Sequence, residues 1–186
     1  MTICEIVCPW CFGHSREGGN PGLERVFIRL VFMFQKLKPL PIFLLSFALD
    51  RVTKILALKF LSVVPLPVCY VFNLVLSWNR GVSWSMFSTQ SALGFWLLNG
   101  IIGLVILFFA GYAMVRVRQN KTIVWEMMVL GGALSNMLDR LVFGAVLDFI
   151  ELYIANISWP IFNVADMFIV LGIGGIFIRT WRSPDE

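Results

Sequence analysis

The chain has 186 residues, of which 59% are hydrophobic and only 14% are charged, and its mean hydropathy is +0.83. A soluble domain carries roughly 25% charged residues, so this chain lacks the charge to cover a water-facing surface, and an integral membrane protein is expected. The net charge of +4 would suit a nucleic acid, but the basic residues are scattered at segment ends rather than gathered on one face, which argues against that partner.

The first 35 residues do not resemble the rest. Cys4, Cys8 and Cys11 have the spacing of the iron–sulfur motif in radical S-adenosylmethionine enzymes, and Cys8-Pro-Trp-Cys11 looks like a thiol redox pair. A cluster enzyme needs a large barrel around the motif and a redox pair needs a βα scaffold; neither is expected here. A zinc site from the three cysteines and His14 is equally unsupported. Ser15 to Gly22 is polar, glycine-rich and a poor helix former, and it resembles the translated product of a bacterial genomic repeat. Residues 1–35 are expected to be a disordered extension, or else translation begins at Met33, before the short basic run to Lys38, and residues 1–32 are a gene-model extension.

Four apolar spans follow, each about long enough to cross roughly 30 Å of hydrocarbon. The first runs from about Leu40 to Leu58, the second from Ala92 to Val115, the third from Thr122 to Phe143 and the fourth from Trp159 to Ile178. In the first, Asp50 and Lys54 stand four apart on one helical face and are spaced for an ion pair. Between the first two spans, Val71 to Trp78 alternates apolar and polar residues and suggests short strands on the outer leaflet. Asn79-Arg80-Gly81 then reads as a turn, and Gly81 permits a positive φ. Cys69 in this segment is expected to be a buried small hydrophobe. The second span carries no charge.

The third span offers small residues at Gly131-Gly132-Ala133, which permit close helix approach. Asn136 and Arg140 share a face there, with Asp139 beside the arginine, while Glu126 is expected to reach the interface or pair with Lys121. The next acid, Asp148, stands alone in Val146-Leu147-Asp148-Phe149. In the fourth span Asp166 is the one charge, three residues after Asn163 and on the same helical face. A carboxylate in a bilayer is costly unless it meets a partner or a wet cavity, so Asp166 reads as functional.

Arginine and lysine place the ends. Arg29, Lys36 and Lys38 precede the first span, Arg116, Arg118 and Lys121 join the second to the third, and Arg179 and Arg182 follow the fourth. Both termini are therefore expected in the cytoplasm, with segments 59–91 and 144–158 outside and Asp148 and Asp166 toward the outer face. Trp78, Trp84 and Trp159 would mark the outer boundary, Trp125 and Trp181 the inner one. The expected fold is an all-α polytopic membrane protein of four transmembrane helices, with a small β-rich periplasmic segment between helices 1 and 2. A proton-coupled transporter using Asp166 would predict inverted repeats, and the halves show no such symmetry.

Five segments in order resemble the lipoprotein signal peptidase family, the bacterial type II signal peptidases. They are Asp50-Arg-Val-Thr-Lys54; Asn79-Arg-Gly81-Val-Ser-Trp-Ser85; Gly131 to Asn136 with Asp139-Arg140; Val146-Leu-Asp148-Phe149; and Phe162-Asn163-Val-Ala165-Asp166. The match covers residues 36–180, leaving 181–186 as a cytoplasmic tail. Val82 and Trp84 stand where alanine and phenylalanine are usual, and Ser135 where glycine is common; these are size changes within the outer motif and the helix contact, and they bear on substrate fit.

The resemblance implies an aspartic endopeptidase with Asp148 and Asp166 as its catalytic pair. Asn136, Arg140, Asn163, Asn79, Gly81, Asp50, Lys54 and Asp139 would bind the substrate or orient the acids and the peptide. No metal or other cofactor is required. The implied substrate is a prolipoprotein whose cysteine carries diacylglycerol, cut just before that cysteine at the outer face of the cell inner membrane. Membrane lipids and globomycin-type inhibitors are the other implied partners, and a monomer suffices. A non-catalytic scaffold descended from the family would not need both acids.

Overall fold

The computed structural model describes residues 39–61, 65–81, 92–154 and 157–182. The cysteines and histidine of the first 35 residues, Met33, and Val82, Trp84 and Ser85 lie outside these. Four helices carry the fold: α1 (Leu40–Phe60), α2 (Ala92–Arg118), α3 (Val124–Phe143) and α4 (Val164–Arg182). Four strands, β1 (Leu66–Cys69), β2 (Phe72–Asn79), β3 (Val146–Ile154) and β4 (Ile157–Ser158), pair antiparallel in that order. The helical class is as expected, but the sheet is larger. Half of it comes from the segment between α3 and α4, not only from the segment between the first two helices.

Each join has a local cause. Pro41 sits in the first turn of α1, where its missing N–H is no loss. Gly144 ends α3 in the left-handed region at φ 72°, with its N–H on the Arg140 carbonyl at 3.0 Å. The chain then enters β3 two residues later, so Asp148 follows closely on the polar end of α3. The fourth helix starts later than expected: Trp159 to Asn163 is extended chain, and Phe162 pairs with Ile150 of β3. Phe162 accepts the N–H groups of Phe149 and Ile150 at 3.0 and 2.9 Å and returns its own N–H to Ile150 at 3.0 Å.

The helices close tightly through glycine. A Cβ on Gly131 would strike Ser46 of α1, and one on Gly132 would stand 2.6 Å from the Ala165 carbonyl of α4. The expected role of this small-residue run in close approach is met at both faces of α3. The burial pattern is that of a membrane protein. Asp50, Lys54, Glu126, Asp139, Arg140 and Asp148 are buried, while Leu104, Phe108, Val170 and Trp181 are between 67% and 78% exposed. Cys69, expected to be buried, is exposed. By length and composition, α2 and α4 are apolar enough to cross a bilayer.

Candidate active site

The pairing of β2 with β3 sets Ser77 opposite Asp148 and Asn79 opposite Val146. That register brings the Asn79 amide to the Asp148 carboxylate, Nδ2 donating to Oδ2 at 3.0 Å. From the other side comes Asn163, carried in by the Phe162–Ile150 bridge, whose Nδ2 donates to Asp148 Oδ1 at 2.6 Å.

Asn163 stands just before α4 rather than on it, a correction to its expected place on the helical face. Its Oδ1 accepts the Asp166 N–H at 3.0 Å, and Asp166 Oδ2 accepts the Asn163 N–H at 3.1 Å. This reciprocal pair is a capping box, which satisfies two backbone donors at the helix start. Asp166 is therefore in the first turn of α4 and not deep in an apolar span. The positive end of the helix dipole offsets part of its cost there.

The other Asp166 oxygen, Oδ1, accepts Asn136 Nδ2 at 2.8 Å. Asn136 Oδ1 in turn takes Lys54 Nζ at 2.7 Å and Asn163 Nδ2 at 3.1 Å. An ammonium can only donate, so Lys54 fixes which end of the Asn136 amide faces Asp166. The Asp166 N–H fixes Asn163 in the same way. All four carboxylate oxygens of the two aspartates thus receive an N–H. Any proton either acid holds must sit on a lone pair these amides leave open.

Burial, and then the neighbouring Asp166 charge, push the Asp148 carboxyl up to about 7, against the hydrogen bonds from Asn79 and Asn163 that hold it down. Both acids line one cavity of about 590 Å³, together with Asn79, Asn136 and Arg140. Its remaining wall is mostly apolar, from Ile102 on α2, Met137 on α3, Met167 and Val170 on α4 and Trp159 at the join. Arg140 donates Nη2 to the Gly81 carbonyl, while its buried Nη1 has no partner among the described residues. Gly81 is itself held by its N–H on Asn79 Oδ1 at 2.9 Å.

Behind the site lies a buried charge cluster. Lys54 Nζ reaches Asp50 Oδ2 and Asp139 Oδ2, both at 2.7 Å, so the expected ion pair forms and is shared. Asp50 Oδ1 accepts the Ala165 N–H at 2.8 Å, and Asp139 Oδ2 accepts the Leu147 N–H at 3.3 Å. Asp50, Lys54 and Asp139 do not line the cavity.

Three residues escaped the sequence reading, and a fourth, Ser135, was read only as a size change. Arg51 and Ser135 join the cluster, and Ser135 faces Asp50 rather than any substrate space, so its departure from glycine concerns the α1–α3 contact. An arginine within an apolar helix was itself the available signal for Arg51. Arg116, read only as a topology marker, is buried and pairs with Glu126 at 3.2 Å. Asn99, the amide in the charge-free second span, is buried with its Oδ1 unpartnered among the described residues. Glu126 does not reach the interface: it is fully buried and takes Arg179 at 2.6 Å as well as Arg116.

Residues 42–182 match the family model described as signal peptidase (SPase) II. Curated relatives include a lipoprotein signal peptidase of Methylobacterium sp. (strain 4-46), 37% identical over 139 residues that span 73% of this chain and 83% of the relative. Another, from Thermodesulfovibrio yellowstonii, is 41% identical over 126 residues, 67% of this chain and 82% of the relative. Among solved structures, a bacterial membrane enzyme determined by the in meso method at 1.9 Å resolution aligns with TM-score 0.57 and 26% identity. That alignment covers 76% of this chain and 90% of the solved one.

Proposed function

Since the chain belongs to the signal peptidase II family, we propose that Asp148 and Asp166 are its catalytic pair and act on a peptide bond lodged in the cavity they line. The protein is a membrane-integral aspartic endopeptidase that removes signal peptides from prolipoproteins. One observation carries the assignment of the pair: two acids distant in sequence are drawn to a single cavity by one residue, Asn163, which bonds to both.

In our reading Asp148 holds the shared proton and Asp166 is the base. Asp166 lies at a helix N-terminus and receives the amide that Lys54 polarises, an environment suited to negative charge. A water between the acids gives a proton to Asp166 as its oxygen attacks the scissile carbonyl carbon. Asp148 donates its proton to the carbonyl oxygen. The tetrahedral diol then collapses: the carbon–nitrogen bond breaks, the amine leaves with the proton from Asp166, and Asp148 recovers its own. The unpartnered Nη1 of Arg140 is suited to a backbone carbonyl of the peptide.

The apolar cavity wall suits a substrate whose cysteine carries diacylglycerol, with cleavage just before that cysteine. Globomycin-type inhibitors would compete for the same space. We further propose that α1 and α3 cross the membrane with α2 and α4, their charges turned inward, in the inner membrane and with both termini cytoplasmic. A monomer is sufficient. Residues 36–180 would form the peptidase domain, in keeping with the family match, with 1–35 an extension and 181–186 a tail.

The deciding test is cleavage of a lipidated precursor by Asp148→Asn and Asp166→Asn enzymes. Each is expected to lose roughly a thousandfold or more in kcat while still folding. Undiminished cleavage by either would remove that residue from the pair.

A further inference from the structure

Each candidate catalytic aspartate follows a residue whose backbone N–H is held from behind the site. Asp50 takes the N–H of Ala165, next to Asp166, at 2.8 Å, and Asp139 takes that of Leu147, next to Asp148, at 3.3 Å. The spacing of the two catalytic acids therefore depends on the spacing of two buried acids that repel each other.

Lys54 pulls Asp50 and Asp139 together, but its third N–H is committed to Asn136, and an ammonium has no planar fork to set their angle. Arg51 supplies the fork. Its Nη2 meets Asp50 Oδ2 at 3.2 Å, its Nη1 meets Asp139 Oδ1 at 2.7 Å, and its Nε donates to Ser135 Oγ at 2.7 Å. Ser135 Oγ in turn donates its hydrogen bond to Asp50 Oδ2 at 2.6 Å. With Lys54, Arg51 and Ser135 all on Oδ2, the Asp50 carboxylate cannot turn, and Oδ1 stays aimed at Ala165.

We propose that Arg51 and Ser135 are positioning residues that fix the separation of Asp148 and Asp166 through the backbone ahead of each. The inference rests on the reading of those two acids as the catalytic pair. Neither Arg51 nor Ser135 lines the cavity, so their removal acts on the chemical step and leaves substrate binding alone.

The test compares Ser135→Ala, Ser135→Thr, Arg51→Gln, the Arg51→Gln/Ser135→Ala double variant and Asp166→Asn in the full chain. It reads kcat and KM for a lipidated precursor per mole of folded enzyme, with folding followed by circular dichroism. Ser135→Ala and Arg51→Gln are expected to lower kcat roughly 10- to 100-fold with KM within about twofold, as small misplacements of reacting groups do. Ser135→Thr, which keeps the hydroxyl, restores most of kcat. The double variant loses less than the product of the single losses, because both act through Asp50.

Unchanged kcat in both single variants would overturn the proposal. So would a loss that tracks only the folded fraction, the mark of helix packing alone. Should Ser135→Ala not fold, Arg51→Gln, at a partly exposed position, decides by the same criteria. Asp166→Asn separates the two levels: if it cleaves normally the catalytic assignment itself falls. If it is inactive while Ser135→Ala and Arg51→Gln keep full kcat, only the positioning role does.

Discussion

Asp148 and Asp166 each accept two N–H groups but stand on different elements, a strand and a helix start. In the proposed mechanism Asp148, whose carboxyl is pushed up to about 7, is the acid whose loss of a proton ends activity. We expect kcat/KM to fall as pH rises through about 7, an apparent value that belongs to the coupled pair. Asn79→Ala removes a hydrogen bond that favours the ionised form of Asp148, so this alkaline limb should move to higher pH; a limb that stays in place would discount Asn79. Stability follows the opposite sense from an ordinary salt-bridged acid. A carboxyl raised above its unfolded value of about 4 stabilises the fold fully below that pH, and the contribution is lost as pH rises through about 7. Both acids were legible in the sequence because a lone carboxylate among apolar residues has no cheap structural excuse. Asn99 was not, since a neutral polar group in a span is too ordinary to attract notice and its burial depends on the packing of other helices; Ser135 drew notice only for its size, because its partner lies on another helix.

At the scale of elements, the helix cores were read well and the joins were not. Alpha1, expected over Leu40–Leu58, runs over Leu40–Phe60, because its apolar run and its proline mark both the length and the start. Hydropathy alone extended the fourth helix back to Trp159, whereas strand pairing by Phe162 claims the residues before Val164. That pairing is non-local and leaves no periodic trace. Close approach of α3 to α4 makes its own prediction. Gly132→Val should force α4 away at Ala165, and lower both thermal stability and kcat, measured by melting and precursor cleavage. Glu126 binds three helices through Arg116 on α2 and Arg179 on α4. Glu126→Gln should cost about 3 kcal/mol of stability, the scale for breaking a buried pair, with kcat/KM of the surviving folded enzyme unchanged.

For the molecule as a whole, charge is inside and hydrocarbon outside, and this is the inversion that composition alone announced. Topology can be tested at Cys69, which is exposed in β1 on the face we place outside. With Cys4, Cys8 and Cys11 replaced by serine, a membrane-impermeant maleimide should label the protein in cells whose outer membrane has been opened; labelling only after lysis of the inner membrane would reverse the orientation. The lipid-facing surface was legible from composition, but the polar interior was not, because contacts between helices far apart in sequence decide which charges cancel. In the cluster behind the site, Asp50 and Asp139 balance Arg51 and Lys54. A neutral group of charges that is buried but for part of Arg51 gathers little counterion, since mobile ions screen exposed charge far more than buried charge. Ionic strength therefore has little purchase on the geometry of the site, and salt should alter how lipid surfaces present the substrate before it alters how the bond is cut.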